Sequence, residues 1–177
     1  LNIGVRFACG EILLRVDGHT FIAHDYARCC VAALSQSGAE NAGGRMNARG
    51  ENSFGQAVAI ATSTFFGVGG ARFHYSDREE WVDTVYLGAW PREVFHRIGL
   101  FDEELERDQD DEFNYRLRSK GGRILFDPSI HSTYLVRSTP KQLWKQYFQY
   151  GLWKVRVLQK HPHHIRLRQF VPLLYLL

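Results

Sequence analysis

The chain has 177 residues, 45% of them hydrophobic and 14% aromatic, which suits one domain with a real core and excludes a disordered segment. Its cysteines, Cys9, Cys29 and Cys30, are odd in number and lack CxxC spacing, which argues against a disulfide framework and for a reducing compartment. The net charge of +3 is unevenly spread: every Asp and Glu precedes Pro128, whereas Arg137, Lys141, Lys145, Lys154, Arg156, Lys160, Arg166 and Arg168 follow it. Such a tail fits an anionic membrane surface, and no motif supports nucleic acid as the rival partner.

In chain order, "EILLRVD" (11–17) predicts a buried strand punctuated by Gly10 and Gly18. Alternation would put Asp17 and His19 on one side of its exposed end. A carboxylate with an imidazole suits Mn2+ or Mg2+ completed by a substrate phosphate. Two other readings stay open: a turn Asp beside a surface His, and a zinc set of Asp17, His19, His24 and Asp25. Next comes a helix from Asp25 to Ser37, with Asp25 as N-cap and Gly38 at the left-handed C-terminal position. A strand followed by a helix points to an α/β layer.

Residues 40–57 are rich in Gly and Asn and read as a strand edge followed by a mobile loop; "QAVAIATST" continues as a helix. "FGVGGARF" does not match GxGxxG, so it reads as a turn rather than a dinucleotide loop. Residues 81–99 predict a strand, the breakers Gly88 and Pro91, and a short helix ended by Gly99. Residues 101–128 predict an acidic helix start, an amphipathic helix with Phe113 and Leu117 four apart, a Gly-Gly stop and a strand. From Pro140 a long aromatic and basic helix follows, loosened at Gly151.

"DQDDEF" (108–113) crowds four carboxylates into five positions. Two accounts stand: dipole compensation in a first helical turn, or a general base whose pKa its neighbours raise. "QYFQYGLW" (146–153) is either a core aromatic stripe or a sugar or diphosphate platform in which Gln146 and Gln149 donate hydrogen bonds.

Taken together and in this order, these stretches resemble family 2 GT-A glycosyltransferases, inverting enzymes that use nucleotide-diphospho-sugars, and most nearly the succinoglycan-type glucosyltransferases of bacterial exopolysaccharide synthesis. "FACGEILLRVDGH" is similar to the strand ending in the family's DxD motif, here DxH. "IGLFDEEL" followed by "QDDEFNYRL" resembles the family's GxFDE and EDxDLxxRL segments, with Gln109 in place of the usual acid and Asp110 at the catalytic aspartate. "QYFQYGLWK" stands where relatives carry Q-x-x-R-W, without its Arg. The resemblance covers residues 1 to 165.

The resemblance implies an incomplete GT-A (Rossmann-like) α/β fold, a mainly parallel sheet with ligands at the strand C-terminal edge, followed by amphipathic, membrane-proximal helices. It divides the chain into a catalytic unit (1–139), an amphipathic basic interfacial region (140–168) and the start of a transmembrane segment (169–177), since "FVPLLYLL" is far shorter than the roughly 20 apolar residues a span needs. It makes Asp17 and His19 the ligands of a divalent cation, Mg2+ or Mn2+, and Asp110 the base. Gly88, Ala89, Trp90, Gln109, Asp111, Gln146, Tyr150 and Trp153 would surround donor and acceptor. The implied reaction moves a hexose, with glucose expected, from a nucleotide-diphospho-sugar, with a UDP-sugar expected, to a lipid-linked or polysaccharide acceptor at the cytoplasmic face of the cell membrane. A chain that starts at Leu1 and stops in an apolar run reads as a fragment; the family's nucleoside-binding strands would precede it, so the isolated piece is expected to be inactive. The competing classes are a non-catalytic membrane-associated sugar- or lipid-binding module and a metal-dependent hydrolase.

Overall fold

The structure is a computed structural model that describes residues 1–164; the expected start of a transmembrane segment at 169–177 lies outside the described residues. The elements run α1 (Asn2–Phe7), β1 (Ile12–Leu14), β2 (Thr20–Ile22), α2 (Tyr26–Ser37), β3 (Asn41–Arg49), α3 (Ser53–Thr62), α4 (Phe65–Val68), β4 (Glu80–Val82), β5 (Ala89–Pro91), α5 (Arg92–Ile98), α6 (Gln109–Ser119), β6 (Ile124–Leu135) and α7 (Pro140–Lys160). The strands form one sheet in the order β1-β5-β3-β6-β2, and β4 also pairs with β6.

The sheet is mixed rather than mainly parallel. β3 and β6 pair in parallel, whereas the other pairs among the described residues are antiparallel. A parallel pair needs a long crossover, and the stretch from Arg49 to Ile124 supplies one.

The Gly- and Asn-rich stretch expected at an edge is instead the central strand, β3. Its glycines mark close approach. A Cβ on Gly43 would come within 2.8 Å of Val85, and one on Gly44 within 2.0 Å of the Ile130 carbonyl oxygen. The β3·β6 register shifts between Gly44 and Arg45, and β6 accommodates Pro128 at this bulge, where a strand tolerates proline. Only residues 50–52 separate β3 from α3, whose start Asn52 caps by accepting from the Gly55 amide at 2.8 Å.

Other boundaries follow their local signals. Asp25 sits at the N-cap of α2 without a side-chain cap bond, and Gly38 takes the left-handed conformation (φ 65°) while its N–H reaches the Leu34 carbonyl at 3.1 Å. Gly99 and Gly121 likewise follow α5 and α6 with positive φ. The helix from Pro140 runs unbroken through Gly151, whose Cα faces open space. It starts with Pro140 at its first turn and Thr139 accepting from the Gln142 amide.

Two apolar clusters hold the sheet. One joins Leu13, Val85, Trp90, Phe95, Phe101, Phe113 and Phe126, with Trp90 edge-on to Phe95, Phe101 and Phe113. The other packs α2 through Tyr26, Cys30 and Leu34 against Ala42, Leu125 and Ile130. A buried polar bridge orients α6 over the sheet: Asn41 Nδ2 donates to Asn114 Oδ1 at 2.8 Å, and Asn114 Nδ2 to Thr84 Oγ1 at 2.9 Å.

Candidate active site

Strand β1 ends at Leu14 because its partner β5 is three residues long; one further bond, Arg15 N–H to the Gly88 carbonyl at 3.1 Å, closes the ladder. Asp17 and His19 therefore stand on a turn, closed by the Thr20 N–H on the Asp17 carbonyl at 3.0 Å, and not along a strand where alternation would align them.

The side chains of this turn face two neighbours. Arg15 grips Asp17 as a fork, Nε to Oδ1 at 2.8 Å and Nη2 to Oδ2 at 3.2 Å. Its third nitrogen, Nη1, lies 3.7 Å from Asp110 Oδ2 and, though buried, has no hydrogen-bond partner among the described residues. His19 is exposed and sets its ring edge-on to Tyr134 at 5.2 Å. Tyr86 joins the two sides: its hydroxyl bonds the Thr20 hydroxyl, and its ring meets Tyr134 edge-on at 6.0 Å. Burial, chiefly, pushes the Tyr86 phenol up to about 12, the Thr20 bond opposes, and the charge on Asp17 adds to it.

Helix α6 brings the acids. Asp108 takes the left-handed conformation just before it (φ 59°), a placement Asp tolerates better than most residues. Burial pushes its carboxyl up to about 7; Lys154 opposes, and Asp111 and Asp110 add to the rise. Asp110 is also raised, by burial first, with Arg15 opposing and Asp111 adding. Besides meeting the helix dipole, the Asp108 and Asp110 carboxyls are thus both raised, chiefly by burial. Gln109 turns its amide back to the Leu105 carbonyl at 2.5 Å, and Asp111 pairs with Lys154.

Helix α7 turns one face toward these residues. Gln146 donates to the hydroxyls of Tyr134 at 2.9 Å and Tyr150 at 2.8 Å. Arg107 stands over the Tyr150 ring at 5.9 Å. Further along, Val157 is fully buried, Lys160 reaches Asp102 and Glu104, and His161 Nε2 stands 2.9 Å from Glu112 Oε1. Glu112 is itself buried and clamped by Arg116, which also donates to the carbonyls of Ile98 and Leu100 at 2.8 Å. Lys154 and Lys160 are therefore not the unopposed cations their sequence context suggests.

Of the residues singled out by sequence, Asp17 and Asp110 meet at Arg15, His19 connects to Gln146 and Tyr150 through Tyr134, Asp111 pairs with Lys154 of α7, and Trp153 is half-buried on α7. Gly88 touches this network through its carbonyl, which accepts from the Arg15 N–H at 3.1 Å, whereas Ala89 and Trp90 lie in the core. They are 0% and 1% exposed, because β5 lies inside the sheet and the Trp90 ring packs in the aromatic core, so the side chains expected to flank an acceptor pocket present no open surface. Arg15, Tyr86, Arg107 and Tyr134 join the network without having been singled out by sequence, and Asp108 and Lys154 were legible only as members of an acidic run and a basic tail. Arg15 and Asp108 each stand two residues from a chosen acid, so proximity was the one available signal.

A carboxylate and an imidazole on one turn are suitable donors for Mg2+ or Mn2+. The Arg15 guanidinium between two carboxylates marks a place built for positive charge. Among the described residues no three His, Cys, Asp or Glu converge, so a metal here would draw its remaining ligands from substrate and water. The zinc set with His24 and Asp25 is accordingly not assembled.

No family model matches the chain. It is 29% identical over 166 residues to the succinoglycan biosynthesis protein ExoA of Rhizobium meliloti (strain 1021), covering 94% of this chain and 50% of that protein. It is 27% identical over 165 residues to the dolichyl N-acetyl-alpha-D-glucosaminyl phosphate 3-beta-D-2,3-diacetamido-2,3-dideoxy-beta-D-glucuronosyltransferase of Methanococcus voltae, covering 90% and 51%. The chain thus spans about half the length of the curated relatives it matches. Among solved structures, it superimposes with a TM-score of 0.62 at 18% identity on the mannosyltransferase PcManGT from Pyrobaculum calidifontis in complex with GDP-Man and Mn2+, over 99% of this chain and 46% of that one. It superimposes with a TM-score of 0.55 at 17% identity on GalNAc-T7 with UDP, GalNAc and Mn2+, over 77% and 30%. At these identities the structural likeness is one of fold. The chain has the GT-A fold, and in sequence it resembles family 2 GT-A glycosyltransferases of the succinoglycan type.

Proposed function

We propose that the chain is the catalytic part of an inverting glycosyltransferase that moves a hexose, glucose in our reading, from a UDP-sugar to a hydroxyl of a lipid-linked or polysaccharide acceptor in exopolysaccharide synthesis. The observation that carries this reading is the Arg15 bridge, which sets the Asp17–His19 turn beside Asp110. In this reading Asp17 and His19 hold Mg2+ or Mn2+, which when bound neutralises charge on the departing diphosphate. Asp110 accepts the proton of the acceptor hydroxyl. The acceptor oxygen bonds to C1 of the sugar as the bond from C1 to the diphosphate oxygen breaks, so one displacement inverts that carbon. The burial that raises the Asp110 carboxyl makes it a stronger base than an ordinary aspartate. Gln146, Tyr150 and Trp153 offer amide, hydroxyl and ring surfaces to the donor or acceptor, and Arg107 over Tyr150 stiffens that wall.

The same reading puts the protein at the cytoplasmic face of the cell membrane, with 1–139 as the catalytic unit, 140–168 as an interfacial region and 169–177 as the start of a transmembrane segment. Among the described residues no helix is long and apolar enough to cross a membrane. Support comes from the outer face of α7, where Trp144, Phe148, Leu152 and Val155 are 76%, 64%, 58% and 55% exposed and Lys141, Lys145 and Arg156 flank them in solvent.

The test is Asp110→Asn in the full-length protein, assayed with UDP- and GDP-sugars. Turnover is expected to fall by roughly three orders of magnitude or more while donor binding is retained. Unchanged turnover would remove Asp110 as the base. Release of free sugar at equal rates with and without acceptor would point to a hydrolase instead.

A further inference from the structure

The Arg15 guanidinium is committed on one side and uncommitted on the other. Two of its nitrogens satisfy both oxygens of Asp17. The third is buried, lacks a hydrogen-bond partner among the described residues, and stands 3.7 Å from Asp110 Oδ2, beyond hydrogen-bond reach by a few tenths of an ångström. A buried unsatisfied donor is costly, so the arrangement has a second seat ready for it.

We propose that Arg15 is a resident cation that holds the Asp17 and Asp110 carboxylates together before a metal arrives, and that it yields Asp17 to the metal by turning its spare Nη1 onto Asp110. This rests on the reading of Asp17 as a metal ligand. Two carboxylates held on either side of one guanidinium would repel each other without it. Arg15 supplies that charge, so the pair stays together without metal. The same charge opposes a dication at Asp17, because the metal must compete with a bidentate fork for the same oxygens. Arg15 therefore lowers the affinity for metal alone, and is a positioning residue rather than one that touches the reacting atoms.

The experiment measures Mn2+ binding by calorimetry, without nucleotide, on the full-length protein and its R15Q, R15K and D17N variants, together with melting temperatures in EDTA and in saturating Mn2+. R15Q is expected to bind Mn2+ at least several-fold more tightly than the parent, with R15K between them. In EDTA, R15Q should melt below the parent, and Mn2+ should close the gap. If R15Q does not fold, R15K carries the test, since loss of the fork alone should tighten Mn2+. Equal or weaker binding in the folded Arg15 variants overturns the proposal. If that occurs while D17N abolishes binding, the metal reading survives and the hand-over fails; if no protein binds Mn2+, or D17N binds as the parent does, both fail.

Discussion

Asp108 shows how a single carboxylate can report on the site. Its folded pKa, about 7, lies above the ordinary value near 3.9, so the folded state holds this proton more tightly than the unfolded chain. The stabilisation is complete below the unfolded pKa and is lost as pH rises through about 4 to 7. Asp108→Asn removes this dependence without disturbing the left-handed backbone, which Asn also accepts. The expected result is a variant that melts above the parent at pH 8 and closer to it at pH 4, read by thermal scans across that range. An unchanged difference between the two pH values would show that Asp108 titrates normally. The neighbouring Glu112 is buried and pairs with Arg116 and His161. Glu112→Ala removes the carboxylate partner of Arg116, which keeps the Ile98 and Leu100 carbonyls and some solvent, and is expected to cost about 1–3 kcal/mol in chemical denaturation.

Helix α7 is two elements in one. Its inner face, Gln146, Tyr150, Lys154 and Val157, ties the helix to β6, the Asp108 loop and α6. Its outer face carries Trp144, Phe148, Leu152 and Val155. Val157→Ala is expected to destabilise the protein by about 2 kcal/mol, from lost apolar burial and the cavity left behind. A double substitution of Trp144 and Phe148 by Ala should leave the melting temperature nearly unchanged and weaken vesicle binding. The 3.6-residue spacing of the aromatics is legible in sequence, but which stripe faces inward is not, because both stripes contain aromatics. Partner acids on α6 and before it settle the matter by recruiting Lys154 and Lys160.

At the scale of the whole molecule, charge separates the acidic body from a basic face. Of the five cations on α7, Lys154 and Lys160 are paired with body acids, which leaves Lys141, Lys145 and Arg156 exposed. At about 1 kcal/mol per cation near anionic lipid, these three contribute on the order of 3 kcal/mol, and the aromatic stripe adds to it. Vesicle sedimentation is expected to show binding to anionic vesicles that weakens as salt screens the charge. Equal binding to neutral vesicles, or none to either, would make that face a solvated surface or a protein contact. The sheet has its own sensitive point: a Cβ on Gly44 meets the Ile130 carbonyl, so Gly44→Ala is expected to lower stability by roughly 1–3 kcal/mol or more.

The sequence by itself determined what short-range chemistry encodes. Gly38 ending α2, the acidic first turn of α6, the Gly121 stop and Pro140 opening α7 all stand where local propensity put them. The Asp17–His19 pair and Asp110 were legible as residue types with a motif order, and with them the resemblance that implied a GT-A fold. Tertiary structure alone decided the rest. Glycines in β3 looked like looseness because their meaning, close approach by Val85 and Ile130, lies in strands far along the chain. Trp90 was expected beside donor and acceptor because its core partners Phe95, Phe101 and Phe113 gather around it only on folding. Arg15 joining Asp17 to Asp110, and Lys154 reaching Asp111, are pairings between distant segments. They follow from the order of strands in the sheet, which no local pattern specifies, since the free energy that selects it comes from burial shared across the whole core.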